Sequence, residues 1–147
     1  MRRSGRLLAG ILVLALSLRL GYVVLAVGAS APPEYDGVDY DLLARNLLAS
    51  KGYALYSGPT AFRPPGYPLF LAGLYAAGEG SLAILRGLQA VLGAATCAVA
   101  YRIARLLFSR RAALLAALLV AVHPVLLYLC GIVYPELLVS LLLSLAV

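Results

Sequence analysis

The run LLAGILVLALSLRLGYVVLAV, Leu7 to Val27, decides what kind of protein this is. About 20 helical residues at 1.5 Å each cover the roughly 30 Å hydrocarbon core of a bilayer, and Arg19 is the one charge in the stretch. Two readings fit it. It is a first membrane span, or it is a signal peptide with a basic start, an apolar core from Leu7 to Leu18 and a small-residue site at Ala29-Ser30-Ala31. Both leave the following segment outside. A charge at the centre of a span costs about 2.5 to 3.5 kcal/mol on insertion scales. The favoured expectation is therefore that Arg19 snorkels to the outer interface; the alternative is a cation facing the bundle interior, where it could meet an anionic headgroup.

Outward from this run the chain stays apolar. Of 147 residues, 63% are hydrophobic and 12% are charged, where soluble domains carry about 25% charged residues. The net charge of +6 raises the question of nucleic acid, and the placement of the charges answers it. Arg2, Arg3 and Arg6 precede the first run, while Arg102, Arg105, Arg110 and Arg111 surround the junction of two later ones. Glu34, Asp36, Asp39, Asp41 and Glu79 lie between. Basic clusters in alternate loops are the positive-inside pattern, so the N-terminus is expected in the cytoplasm, the acidic loop outside, and no nucleic-acid partner. Cys97 and Cys130 sit in apolar stretches without a short-spaced pair, as buried free thiols do. His123 stands alone, without a second metal ligand at a useful spacing.

The expected fold is all-α, a polytopic transmembrane bundle with four spans at about 7–27, 82–107, 112–128 and 131–147 and an outer loop at about 29–81. Pro and Gly punctuate that loop. Within it, Tyr40 to Leu48 reads as a short amphipathic helix, with Asp41 and Arg45 at i,i+4. Leu69 to Ala77 reads as a second, too short to span and so interfacial or re-entrant. The closing run Leu137 to Val147 has no cap or polar tail. It reads as a helix cut midway, and residues 1–147 as the N-terminal part of a larger membrane domain.

Three segments carry groups suited to chemistry at the outer boundary: Asp36-Gly37-Val38-Asp39-Tyr40, Phe62-Arg63-Pro64-Pro65-Gly66-Tyr67-Pro68, and Tyr134-Pro135-Glu136. A carboxylate, a cation and a bilayer edge are what transfer from a lipid phosphate requires. Each residue also has a plainer role open to it. Asp36 or, more naturally, Asp39 could cap the Tyr40 helix, and Arg63 could anchor the loop at the interface. Glu136, in an expected span, is costly unless it faces the site or a partner.

These segments resemble the opening of the GT-C fold glycosyltransferases, among them the protein O-mannosyltransferases, the aminoarabinose transferases of lipid A and related bacterial polyprenyl-phosphate-sugar transferases. The likeness lies in Asp36 followed by Tyr40, the Ala44-x-x-Leu47 helix, and Arg63-Pro-Pro-Gly-Tyr-Pro-Leu-Phe-Leu-Ala72, and it runs on through Leu88-Gln89-Ala90 to Glu136. It implies transfer of a sugar, with inversion, from a polyprenyl-phosphate-linked donor to a hydroxyl of a glycan, lipid or protein acceptor. That transfer would occur at the outer face of the cell (inner) membrane. Asp36 matches the catalytic base and Arg63 the cation for the carrier phosphate, with Tyr40, Tyr67, Glu136 and Asp39 as supporting substrate-binding groups. No cofactor follows from it, and a divalent metal requirement is left open. One position departs from the pattern: many relatives carry a second acid where this chain has Gly37, a place that Asp39 or Glu34 would have to fill. The rival expectations are a non-catalytic multi-pass protein, such as a transporter fragment or bundle subunit, and an inactive truncated transferase.

Overall fold

In the computed structural model the apolar runs are helices. The model describes residues 2–147, with side chains from Gly5 onward, so the side chains of Arg2 and Arg3 in the expected basic cluster lie outside the described residues. Helix α1, Arg2–Tyr22, runs on as a π-helical turn, Val23–Val27, and stops at Gly28 with φ 84°. α2 is Asp36–Leu48, α3 Gly66–Ala77, α4 Leu82–Leu107, α5 Arg110–Ala121, α6 Pro124–Tyr128 and α7 Glu136–Leu145. An antiparallel ribbon of two-residue strands, Ala54–Leu55 (β1) with Gly58–Pro59 (β2), interrupts the all-α pattern between α2 and α3.

Two helices, Gly5–Val27 and Leu82–Leu107, are long and apolar enough to cross a membrane. The other two expected spans take a different form. The stretch expected as one helix over 112–128 is broken at Val122 and His123, because Pro124 has no N–H to continue the ladder and starts α6 instead. The stretch expected to be helical from 131 becomes so only at Glu136, after a turn. The short helices start earlier than their periodicity suggested, α2 at Asp36 and α3 at Gly66. Ser81 and Ser109 cap α4 and α5, each accepting a backbone N–H at 3.4 Å.

Small residues set the packing of the apolar layer. Ala113, Ala117 and Ala121 recur every four residues along α5 and are fully buried, the small-xxx-small spacing that lets helix backbones approach closely without a hydrophobic driving force. Ala15 of α1 and Cys97 of α4 fill the same cluster as Ala121. Both cysteines are free and buried.

Arg19 does not snorkel. Its side chain is fully buried, with Nη1 donating to the carbonyls of Ala15 (3.0 Å) and Ala121 (3.0 Å) and Nη2 to that of Val120 (3.2 Å). The break before Pro124 explains why. Val120 is four residues before a proline, so its carbonyl has no helical donor, and the C-terminal end of α5 carries partial negative charge. Arg19 therefore ties α1 to the frayed end of α5, and an extended side chain heading for water would leave those carbonyls unmet. Its Nε lies against Gly93 of α4, where a Cβ would come within 2.5 Å.

Arg86 and Gln89, i,i+3 on α4, do the same for the loops after α1 and before α7. Arg86 Nε donates to Gly131 O (2.8 Å) and Nη1 to Gly28 O (3.2 Å) and Ala29 O (2.8 Å), while Gln89 Nε2 donates to Ile132 O (2.8 Å). These bonds hold the turns after α1 and before α7 against the start of α4, and so fix the floor on which α2 and α3 rest.

Candidate functional site

Asp36, Asp39 and Tyr40 converge on Arg63. The turn into α2 puts Tyr35 at a left-handed φ of 50° and makes Asp36 the first helical residue, with Asp39 one turn on. Neither aspartate caps the helix, which has no side-chain cap; both sit in its first turn, where the helix dipole favours negative charge. Both also meet the same cation. Arg63 Nη1 donates to Asp36 Oδ2 (3.0 Å) and Nη2 lies 2.7 Å from Asp36 Oδ1. Arg63 Nε and Nη2 reach Asp39 Oδ2 at 3.2 and 2.9 Å. This bidentate fork is a geometry open to arginine and closed to lysine.

Two rings flank the guanidinium, and a hydroxyl holds the backbone of Arg63. The guanidinium carbon lies 4.7 Å from the Phe62 ring centre and 5.3 Å from that of Tyr40, within reach of the ring quadrupoles. Tyr53 donates to the Arg63 carbonyl at 2.7 Å. The two carboxylates raise the Arg63 pKa above its ordinary value, Asp36 first and Asp39 second, against a smaller lowering by burial. The Arg63 side chain is 15% exposed and that of Asp36 53%, so the cluster opens to solvent on the Asp36 side. A shallow cavity lined by Tyr53, Thr60, Phe62 and Arg63 adjoins it.

Beneath lies an aromatic floor. Tyr40 meets Tyr67 edge to face at 5.2 Å, and Tyr67 stacks on Phe70 at 6.0 Å. Tyr67 is buried, with its hydroxyl 3.5 Å from Gln89 Nε2. Burial, then the charges around it, Glu136 among them, push its pKa above the ordinary tyrosine range. Glu136 is thus near enough to act on Tyr67, yet it is exposed at the first turn of α7 and stands outside the Arg63 ion pairs. Its cost is lower than expected, because it lies at a helix N-terminus and not within an apolar span.

Tyr134, quoted in the sequence only as Glu136's neighbour, also belongs here. Its hydroxyl accepts the Asp36 backbone N–H at 3.3 Å and its ring meets Tyr40 edge to face at 6.4 Å. Gly37 has a steric role: a Cβ there would lie 3.3 Å from both the Cβ and the carbonyl oxygen of Val133. An acid at this position would press into the turn that Gln89 holds. Asp39, and not Glu34, is the second carboxylate on Arg63. Among the described residues no group of three His, Cys, Asp or Glu side chains is placed to hold a metal ion.

The chain is mostly apolar helices, with an arginine and two carboxylates gathered where α2 meets the loop before α3. The sequence model for dolichyl-phosphate-mannose-protein mannosyltransferases matches residues 62–147, more than half of the chain, and the protein belongs to that family. The family is membrane-integral and performs glycosyl transfer from polyprenyl-phosphate mannose. The matched segment includes Arg63, Tyr67 and Glu136, while Asp36, Asp39 and Tyr40 precede it. No curated protein and no solved structure matches the chain.

Proposed function

We propose that this protein transfers a sugar from a polyprenyl-phosphate-linked donor to an acceptor hydroxyl at the outer membrane face, with inversion. The observation that carries the reading is the ion-pair cluster in which Arg63 holds Asp36 and Asp39 together. Asp36 is the general base, since it is the more exposed of the two. Arg63 is the cation for the carrier phosphate. Tyr40, Tyr67, Asp39 and Glu136 shape the donor end of the site.

With both oxygens of Asp36 on its guanidinium, Arg63 is in a resting pairing. A phosphate arriving at Arg63 competes for the same N–H groups and releases Asp36 towards the acceptor. The acceptor oxygen then attacks the anomeric carbon as the bond from that carbon to the phosphate oxygen breaks. Its proton passes to Asp36, and the bond electrons leave with the polyprenyl phosphate, whose charge Arg63 offsets. A single in-line displacement inverts the anomeric centre. A positioned base contributes about 10² to 10⁴ in rate, and fixed donors at a departing anion a comparable factor.

The same reading takes α1, α4 and the broken pair α5 and α6 as spans of a bundle in the inner membrane, with the ten residues of α7 entering a fourth. The N-terminus and Arg102 to Arg111 lie in the cytoplasm and the α2–α3 loop lies outside. Residues 1–147 then form the N-terminal part of the GT-C-like domain. The test is transfer from a defined polyprenyl-phosphate sugar by the natural gene product and by its Asp36→Asn variant in vesicles. The variant should insert normally and lose transfer; retained turnover would remove Asp36 from the role.

A further inference from the structure

A second charged cavity, of about 220 Å³, opens at the outer end of α1, where Tyr22, Pro33, Glu34, Arg86 and Tyr128 line it. Its two charged side chains are not paired with each other. Arg86 is only 2% exposed; its Nε and Nη1 are spent on three backbone carbonyls, and among the described residues its Nη2 has no protein partner. Glu34 is exposed and lines the same cavity, but no ion pair joins it to Arg86.

Two opposite charges on one small cavity, not neutralising each other, suit a ligand that carries both. An anion alone would bring its charge towards Glu34 and the loop carbonyls, and a cation alone would face a buried guanidinium. The size suits a small headgroup, since pockets for drug-sized ligands begin at about 300 Å³. The surroundings favour a lipid as its source. Tyr22 and Tyr128 are the kind of aromatic residues that collect at the membrane interface, and the neighbouring Val24 and Leu25 are 59% and 86% exposed, giving acyl chains an apolar surface beside the cavity.

We propose that this cavity binds the headgroup of a zwitterionic aminophospholipid, its phosphate on Arg86 and its primary ammonium on Glu34. This site is separate from the Arg63 cluster and does not depend on the transfer reaction. Native mass spectrometry of the purified protein, offered equal amounts of phosphatidylethanolamine, phosphatidylglycerol and phosphatidylcholine, tests it. Charge-assisted hydrogen bonds to the ammonium should favour phosphatidylethanolamine by about tenfold over the other two. Glu34→Gln should bring it down to the level of phosphatidylglycerol, with retention of the latter and the unfolding temperature unchanged. Equal retention of all three lipids by the native protein, or a preference that survives Glu34→Gln, would overturn the proposal. Displacement of the lipid by soluble O-phosphoethanolamine but not by inorganic phosphate would support it; equal displacement by phosphate would overturn the zwitterion assignment. Because Arg86 also ties down two loops, the test relies on Glu34, whose side chain can be changed without loss of a bond.

Discussion

Arg63 and Arg19 solve the problem of holding a guanidinium in opposite ways. Arg63, in the loop between α2 and α3, is matched by two carboxylates and two aromatic rings, partly open to water. Arg19, within the first span, meets no carboxylate and is matched by three backbone carbonyls, one in its own helix and two at the end of α5. The difference teaches which charges can do chemistry. Carboxylates at a solvent edge can be exchanged for a ligand's phosphate, because the released acid is rehydrated. Carbonyls at a broken helix end cannot, because releasing them leaves polar groups unmet in an apolar layer, at about 1 to 3 kcal/mol each. This difference supports the phosphate role proposed for Arg63 and gives Arg19 a structural one.

The largest effects should come from the exchangeable side. Asp36→Asn should lower kcat for transfer by about 10² to 10⁴, with the unfolding temperature changed little because the residue is exposed. Arg63→Lys is the sharper probe. It keeps the charge but loses the fork, so use of the lipid-phosphate donor should fall by about tenfold or more at limiting donor. An unchanged dependence on donor concentration would break the assignment of Arg63 to the phosphate.

Much of this site was legible in the sequence, and what was hidden was hidden for a physical reason. Asp36, Asp39, Tyr40, Arg63 and Tyr67 stand out because charge and aromatic residues gather between apolar runs, and they do come together. Tyr134 did not stand out, since one tyrosine before a proline carries no signal until the turn ahead of α7 is folded against α2. The place of Arg19 does not follow from the bilayer alone, since two of its partners are carbonyls at the end of α5. The missing clue was 105 residues further on, where Pro124 orphans a carbonyl of α5. Arg86 and Gln89, polar residues i,i+3 in an apolar span, carried a readable signal by cost alone. The last two expected spans were drawn from hydropathy, which does not register a proline break or a five-residue turn.

On the structural side, Gly93→Ala should lower stability by about 1 to 3 kcal/mol through overpacking. The added methyl falls 2.5 Å from Arg19 Nε and 3.0 Å from Cδ, and the guanidinium beyond them is fixed by its carbonyls. A double-mutant cycle separates this from a general packing defect. In an Arg19→Ala background the same Gly93→Ala change should cost much less when both are measured by thermal unfolding in detergent. Additive losses would mean that Arg19 can move aside, and the contrast with Arg63 would weaken.

The smallest effects belong to a cluster between the two regimes. Tyr75 of α3 is buried, and its hydroxyl donates to Asp41 Oδ1 at 2.7 Å. Asp41 also pairs with Arg45 at 2.8 Å, which in turn lies 5.0 Å from the Tyr75 ring. Burial first and the Asp41 bond second raise the Tyr75 pKa above the ordinary value of 10.0, so the folded protein holds the phenolic proton more tightly than the unfolded chain does. The sign follows: this stabilisation is complete below about pH 10 and is lost as the pH climbs above it, because only the unfolded tyrosine ionises readily. Tyr75→Phe should cost about 1 kcal/mol at neutral pH through the lost hydrogen bond, and should flatten the fall in unfolding temperature at alkaline pH. Arg45→Ala, by comparison, removes an ion pair whose arginine is 45% exposed and should change stability by only about 0.3 to 0.5 kcal/mol. If Arg45→Ala proved the more damaging of the two, the Asp41 cluster would be held by its ion pair and not by its buried hydroxyl, and it would belong with Arg63 as a charge that a ligand could exchange.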